Sequence, residues 1–283
     1  MHLKRLLQRI EQIFRWNITA FFLIVSASQA SNSDVFAIAL ALAQQGNPQA
    51  QYEVSEHYKN GAYGAPLDEI ESIRWLKESA RSGYPDALYF LAYRYDVGLG
   101  LDINKPQAIA LYTQASEKDH PKATYYLAWS YDVGDGVPSD DVKAVALYRK
   151  AAGLGYRDAQ YTLGQMLRDG EGVERNVQEA IYWYGKAAEQ GDYDALTWIA
   201  EIYDNGRDYD LPEDNIKAND LYHRAAKEGS TRAFYEIGLN YYQGDGVKQD
   251  LLEALRWLNI AKNRDFDRAQ ERIDEIEKAL ATQ

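Results

Sequence analysis

The chain contains no cysteine among its 283 residues. It therefore cannot form a disulfide framework or a thiolate metal site. Its histidines are few and scattered, without the spacing that zinc ligands show, and they are His2, His57, His120 and His223. The sequence thus predicts neither a bound metal nor a cofactor.

Basic residues are also in short supply. The chain has 31 Lys and Arg against 43 Asp and Glu, which gives a formal net charge of −12. Proteins that bind nucleic acid without sequence specificity use clustered Lys and Arg to displace counterions from phosphates. The acidity therefore argues against nucleic acid, and against anionic membrane surfaces, as partners.

Long apolar runs are absent, and the one at residues 18–25 is too short to span a bilayer. Four basic residues precede it and Ser26-Ala-Ser28-Gln-Ala30 follows it, a pattern typical of a secretory signal peptide. We therefore predict a signal over residues 1–30 and a periplasmic or secreted protein. An amphipathic N-terminal helix on a cytoplasmic protein is the alternative. Cleavage after Ala30 would remove four basic residues and one acidic residue, so that −12 becomes −15.

Catalytic motifs are missing as well. The sequence has no Gly-x-Ser-x-Gly elbow, no Ser-x-x-Lys pair, no His-Glu-x-x-His and no phosphate-binding glycine loop. The recurring Gly-x-Gly-Val phrase leads, three residues on, to an N-cap Asp or Asn, and no copy is followed by Lys-Ser/Thr. We therefore do not expect an enzyme.

What the chain does have is an alanine that returns about every thirty-six residues, a spacing that indicates an array of structural repeats. The alanines are Ala50, Ala87, Ala123, Ala159, Ala195, Ala233 and Ala269. In the fourth repeat the apolar residues after Ala159 and after Ala180 recur at three, four and seven positions, which predicts two amphipathic helices.

Turn and cap residues recur at fixed phases between these helices. The first helix is predicted to end at a glycine with positive φ, namely Gly61, Gly98, Gly134, Gly170, Gly206 or Gly244. The second helix is predicted to begin at an N-cap, namely Asp68, Asn104, Asp140, Asn176, Asp214 or Asp250. Glu71, Gln107, Glu179 and Glu253 follow three positions later, which predicts four capping boxes.

These phrases in register make the chain resemble a Sel-one-like repeat protein, a relative of the tetratricopeptide arrays, with six repeats over about residues 49–267. The resemblance implies an all-α fold, a right-handed α/α superhelical solenoid of antiparallel helix pairs. We expect an N-terminal capping helix within residues 31–48. A second cap is expected at residues 268–283, where a narrow apolar stripe faces a charged side.

The turn of repeat five is two residues longer than the others and lacks the second glycine. It holds a cluster of five acidic residues, namely Asp204, Asp208, Asp210, Glu213 and Asp214. Calcium binding is one interpretation, but the spacing of an EF-hand loop is absent. A solvated loop whose last acid caps a helix is the simpler one.

In two-helix solenoids the first helices line the concave surface, where positions outside the core are free to vary. The candidate partner-binding residues are Phe90, Tyr93, Asp96, Tyr126, Trp129, Asp132 and Trp198. Packing between repeats is the alternative for each aromatic residue, since aromatic stripes at helical spacing usually serve burial. If they are accessible, they suit an apolar and basic segment of another protein or peptide. Stacking on a cell-envelope polysaccharide or peptidoglycan is the second interpretation.

Overall fold

The computed structural model of the protein describes residues 32–281, which form α-helices joined by short turns. The helices are α1 (Asn32–Gln44), α2 (Pro48–Asn60), α3 (Glu69–Arg81), α4 (Pro85–Val97), α5 (Lys105–Glu117), α6 (Pro121–Val133), α7 (Asp141–Gly153), α8 (Arg157–Asp169), α9 (Val177–Glu189), α10 (Tyr193–Asp204), α11 (Asn215–Lys227), α12 (Thr231–Gln243), α13 (Leu251–Lys262) and α14 (Arg268–Ala281). A 3₁₀ helix at Gly206–Tyr209 follows α10. The described part contains no β-strand.

Consecutive helices pack in pairs, with α2 on α3, α4 on α5, and so on to α12 on α13. The predicted all-α solenoid of helix pairs is therefore confirmed. The chain divides into two compact units, of which unit 1 ends at His120 and unit 2 begins at Pro121. Unit 1 contains helices α1 to α5, and unit 2 contains α6 to α14.

The core is built from the recurring small and aromatic residues. In repeat four, Ala159 and Leu163 of α8 are fully buried, as are Ala180 and Tyr184 of α9. The alanines let the two helices approach closely, and the tyrosine fills the space between them. Gly164 shows how tight the contact is, because a Cβ atom there would lie 2.8 Å from the ring of Tyr184.

The second helices begin as predicted, but the capping boxes do not form. Each predicted N-cap side chain accepts a hydrogen bond from a first-turn amide, as Asp68 does from the amide of Glu71. The amide of Asp68, which a capping box would give to the Glu71 carboxylate, donates instead to the carbonyl of Tyr58, 2.9 Å away. The same backbone bond links the second helix to the first in every repeat. Glu71 is left to pair with Arg74.

The first helices end at left-handed glycines in five repeats, and the prediction fails in the fifth. Gly170, for example, has a φ of 79° and donates its amide to the carbonyl of Met166. Helix α10 ends at Asp204 with Asn205 as its C-cap, while Gly206 has no positive φ and starts the 3₁₀ helix. A Cβ atom on Gly206 would lie 2.7 Å from the backbone of Pro212 and Glu213, so the glycine allows the longer turn to fold back on itself.

The second turn glycine has a role that goes beyond the turn itself. A Cβ atom on Gly172 would lie 2.6 Å from the carbonyl oxygen of Asp141, the first residue of α7 in the preceding repeat. On Gly246 it would overlap the carbonyl oxygen of Asn215, the first residue of α11. Neighbouring repeats therefore touch backbone to backbone at this position. Repeat five has Asp208 there, and its turn is extended into the 3₁₀ helix.

The structure describes the C-terminal segment as far as residue 281 and the N-terminal segment only from residue 32. The predicted N-terminal cap contains α1, and the segment predicted as the C-terminal cap contains α14, whose Ala269, Ile273 and Ile276 are buried. The predicted signal peptide, residues 1–30, lies outside the described residues. Within residues 32–281, every helix is too short or too polar to cross a membrane.

Candidate partner-binding faces

Three positions per repeat carry the predicted partner contacts, at three, six and nine residues after the repeat alanine. These positions share one side of each first helix, and we call them the first-helix face. In unit 1 they are Glu53, Glu56, Lys59, Phe90, Tyr93 and Asp96. In unit 2 they are Tyr126, Trp129, Asp132, Thr162, Gln165, Arg168, Trp198, Glu201, Asp204, Glu236, Leu239 and Tyr242.

In unit 1, the candidate residues are partly engaged inside the protein. The ring of Phe90 stacks on Tyr52 of the preceding repeat, with centroids 5.7 Å apart, and the ammonium of Lys59 lies 5.6 Å from its centre. Burial, followed by the charge of Glu56, raises the pKa of Tyr52. Tyr93 is half-buried, with its ring 6.5 Å from that of Tyr89.

Asp96 and Asp132 are held by tyrosines of the second helices. Asp96 accepts from the hydroxyl of Tyr112 at 3.3 Å and from Lys105 Nζ at 2.7 Å. Asp132 accepts from the hydroxyl of Tyr148 at 3.1 Å. The second helix of the repeat therefore occupies both carboxylate oxygens of Asp96 and one oxygen of Asp132.

Trp129 is the most exposed of the predicted aromatic residues. It lies on α6 with 38% of its surface accessible, whereas Tyr126 on the same helix is half-buried with its ring edge-on to Tyr125. The predicted aromatic strip has two members in each unit, Phe90 and Tyr93 in unit 1 and Tyr126 and Trp129 in unit 2. Its continuity stays a prediction.

Trp198 is enclosed to a degree that the sequence did not indicate. Its indole lies between two guanidinium groups, Arg168 at 3.9 Å and Arg232 at 4.2 Å from the ring centre. Its Nε1 donates to the hydroxyl of Tyr161 at 2.8 Å. Both faces of the ring are covered, so only its edge can meet a partner. The one sequence signal was Arg168, which stands where neighbouring repeats have aspartate.

Arg168 itself is almost fully buried and incompletely satisfied. Its Nε and Nη2 donate to Asp169 at 2.7 Å and 2.6 Å. Its Nη1 and the buried hydroxyl of Tyr184 have no hydrogen-bond partner among the described residues. In repeats two and three the corresponding tyrosine donates to an aspartate, so the arginine leaves Tyr184 without its acceptor. Burial raises the pKa of Tyr184.

A second feature that sequence reasoning missed is a group of half-buried carboxylates around Arg232. This arginine pairs with Glu201 of α10 and lies 3.5 Å from Glu236 of its own helix. Burial raises the pKa of Glu236 to about 7, opposed by Arg232 and reinforced by Glu201. Burial also raises the pKa of Asp204 to about 6, and the charge of Asp245 adds to it. Burial is the main cause of both shifts, and the neighbouring carboxylates add to it.

The acidic turn of repeat five is tied down by hydrogen bonds and ion pairs. Glu213 pairs with Arg207 at 3.0 Å, and Asp214 caps α11. The carbonyl of Asp208 accepts from Arg175 of repeat four, whose guanidinium lies 5.1 Å from the ring of Tyr209. Among residues 32–281, no three His, Asp or Glu side chains are arranged to hold a metal ion.

The residues that build this face and its turns recur in a known repeat. The Sel1 repeat model matches six consecutive segments, at residues 48–84, 85–120, 121–156, 157–192, 194–230 and 232–266. The chain belongs to the Sel1 repeat family. The resemblance inferred from the alanines, glycines and caps is thereby confirmed, and so is the number of repeats. Sel1 repeats form helical solenoids of the kind that serve as protein-interaction scaffolds.

Two solved structures are similar over most of the Sel1 array. One is c5321, a protective antigen present in uropathogenic Escherichia coli strains with an SLR fold, at 29% identity and a TM-score of 0.78. The match covers 87% of this chain and 52% of that chain, so the protein spans about half the length of c5321. The other is a Sel1 repeat protein from Oxalobacter formigenes, at 31% identity and a TM-score of 0.65, covering 68% of this chain and 79% of that one. No curated protein matches significantly.

Proposed function

We propose that this Sel1 repeat protein is a non-catalytic adaptor that binds another protein through its first-helix face. The proposal rests mainly on Trp129, a tryptophan that is 38% exposed in the middle of a first helix. A large rigid aromatic side chain loses little conformational entropy on binding and is a frequent hot spot of protein interfaces. In a scaffold whose recurring residues are occupied by packing, such a side chain is available for recognition.

The charges near this face indicate the chemistry of the partner. On α10 and α12 the carboxylates of Glu201 and Glu236 pair with the guanidinium of Arg232, and Asp204 lies near enough to Glu236 for its charge to raise the pKa of Glu236 further. A segment that brings Lys or Arg residues together with apolar ones would complement both the indole of Trp129 and this negative charge. The protein's net charge of −12 favours the same class of partner.

Trp129→Ala tests this proposal. We expect the variant to lose the partner that the unaltered protein captures by affinity purification after crosslinking in the native cell, with recovery reduced at least about tenfold. Tyr182→Ala is the matched control, because Tyr182 is an aromatic residue 54% exposed on the second helix α9. Equal recovery with both variants would place the interaction elsewhere.

The same proteins test polysaccharide binding. Sugar recognition by stacking needs an open aromatic face, and the faces of Trp198 are covered by Arg168 and Arg232. We therefore expect the purified array not to co-sediment with peptidoglycan. Sedimentation that depends on Trp129 would favour the polysaccharide interpretation instead.

Export forms the second part of the proposal. It is supported by the basic and apolar pattern of residues 1–30 and by the similarity to c5321, an antigen. We expect the epitope-tagged chain in the periplasmic or extracellular fraction, with Ser31 as its first residue by N-terminal sequencing. A chain that retains Met1 and fractionates with the cytoplasm would contradict this.

A further inference from the structure

Large apolar side chains are exposed in one concentrated place in unit 1. Fourteen such side chains are exposed among the described residues, and six of them lie in the turns of the first two repeats or at the helix ends beside those turns. We call these six the apolar edge, namely Tyr63, Leu67, Ile70, Val97, Leu99 and Ile103. Their exposed fractions run from 48% to 82%, which amounts to several hundred Å² of apolar surface.

The apolar edge is one patch because its two turns are locked together. Arg94, a buried residue of α4, donates at 3.0 Å both to the carboxylate of Glu69 in the first turn and to the carbonyl of Leu99 in the second. Gly100 fits against Glu69 so closely that a Cβ atom would lie 2.5 Å from the carboxylate oxygen. Glu69, which precedes Ile70, and the backbone of Leu99 are therefore held close together by one buried guanidinium.

This patch is larger than packing of the repeats requires. Exposed apolar patches of several hundred Å² on soluble proteins commonly mark interaction sites. Single exposed side chains need no such explanation. The eight exposed apolar side chains of the described part of unit 2 are spread over four repeats, and Val142 and Leu252 lie in repeats three and six.

The charged residues near the two turns indicate which kind of partner fits the apolar edge. Asp68, Glu69 and Asp102 are the charged residues of segments 61–70 and 97–104, and all are acidic. Arg94 pairs with Glu69, and Lys105, which follows the second segment, pairs with Asp96, so Asp68 and Asp102 leave an excess of negative charge. Two copies of this chain would bring these carboxylates together, and an anionic lipid surface would face them directly. Apolar side chains flanked by Lys or Arg complement both the patch and its rim.

We propose that the apolar edge is a second docking surface, separate from the first-helix face, and that it receives an amphipathic segment of another protein whose apolar residues are flanked by Lys or Arg. A helix presenting apolar residues at i, i+3, i+4 and i+7 fits an edge of this kind. The protein would then hold two partners, or two parts of one partner, at separate places.

The test uses a fluorescent Leu/Lys amphipathic peptide of about five helical turns and the full chain. We expect binding by fluorescence anisotropy that weakens with salt, and at least about tenfold loss of affinity in the double variant Ile70→Ser/Ile103→Ser. Val142→Ser/Leu252→Ser is the matched control and should bind normally, since Ile70, Val142 and Leu252 all occupy the second position of a second helix with 66–82% exposure. A Leu/Glu peptide of the same pattern should bind at least about tenfold more weakly.

Several results would overturn the proposal. They are equal affinity for the Leu/Glu peptide, an equal loss in the control variant, a dimer in sedimentation velocity that Ile70→Ser/Ile103→Ser abolishes, or binding to anionic phospholipid vesicles that this variant abolishes. A photo-crosslinker at Tyr63, with one at Tyr182 as control, gives a readout that leaves Ile70 and Ile103 intact. Crosslinking of the peptide only at Tyr182, or equally at both, would also contradict it. The first-helix face is proposed to accept the same class of peptide, so the titration is repeated in Trp129→Ala, where Ile70→Ser/Ile103→Ser should cause the same fold loss of affinity. A loss in Trp129→Ala with none in Ile70→Ser/Ile103→Ser would contradict the apolar edge and leave the adaptor proposal standing.

Discussion

Glu236 shows how neighbouring groups can shift the pKa of a single residue on the first-helix face. Its carboxylate lies between α10 and α12, where burial raises its pKa to about 7 and Glu201 adds to the effect. A carboxyl whose folded pKa is above its unfolded value stabilises the folded state at low pH. That contribution is lost as the pH rises from about 4.5 through 7.

The free energy of unfolding should therefore fall between pH 5 and pH 8, and Glu236 should account for about 2 kcal/mol of the fall. In Glu236→Gln this part should disappear, which leaves the smaller contribution of Asp204, whose pKa of about 6 acts in the same direction. Urea unfolding at pH 5 and at pH 8 measures the change in the free energy of unfolding. Glu228→Gln, on the exposed C-cap of α11, serves as control. Parallel pH dependence in the protein and in Glu236→Gln would refute this assignment.

Periodicity alone located the position of Trp198 but not its surroundings. Arg168 and Arg232 lie 30 and 34 positions away in the sequence, and nothing local indicates that both would cover one ring. The same holds for Glu236, whose burial depends on Arg232 and Glu201 together. Sequence reasoning therefore predicted which residues share a face, whereas their exposure follows from contacts between repeats.

Among the turn elements, Gly172 links two repeats through their backbones. It combines a positive φ of 65° with a contact in which a Cβ atom would overlap the carbonyl of Asp141. The repeat phrase predicted a turn glycine here, and the structure adds the reason for the second one. In repeat five the absence of this glycine coincides with the longer turn.

Gly172→Ala should destabilise the protein by about 2–4 kcal/mol, because it adds a steric clash to the cost of an unfavourable backbone conformation. Gly155→Ala separates the two effects. Gly155 also has a positive φ, of 88°, but a Cβ atom added there would have no neighbouring atom within 4 Å, so about 1 kcal/mol is expected. Denaturant titrations of both variants measure the two losses in the free energy of unfolding. Equal losses would mean that the contact between repeats contributes nothing.

Helix boundaries were largely predictable because caps and C-terminal glycines act locally. Asp68 and its counterparts cap the second helices as expected. The prediction of capping boxes was wrong. The amide of Asp68, which Glu71 would satisfy, donates to the carbonyl of Tyr58 in the first helix, and this is a tertiary contact. The prediction that the first helix of repeat five ends at Gly206 was wrong because the phase of the repeat shifts where the turn is longer.

For the whole molecule, the last apolar surface of unit 2 is closed by α14. Its Ala269, Ile273 and Ile276 are buried, while Glu271, Glu275 and Glu277 are exposed. A solenoid without such a helix would end on an apolar face, which leads to aggregation. The alternation of these residues was readable from the sequence, since an amphipathic helix needs no distant partner to be recognised.

Ile276→Asp should detach this helix, because an unpaired charge costs several kcal/mol to bury. We expect a lower midpoint of thermal unfolding, increased binding of the dye ANS at room temperature and a tendency to aggregate. Glu277→Asp, one residue along on the exposed side of the same helix, should behave like the unaltered protein. If both variants melt together with the unaltered chain, α14 is dispensable for stability.

The contact between Gly172 and its neighbour repeat has a further meaning for how such proteins change over time. Because backbone atoms meet there, the spacing of adjacent repeats at this point does not depend on a side chain such as that of Trp129. Trp129, Gln165 and Glu201 occupy the same phase in successive repeats and share no chemistry. A substitution at Trp129 or Gln165 can therefore change what one repeat recognises while the backbone contact that spaces the repeats stays in place.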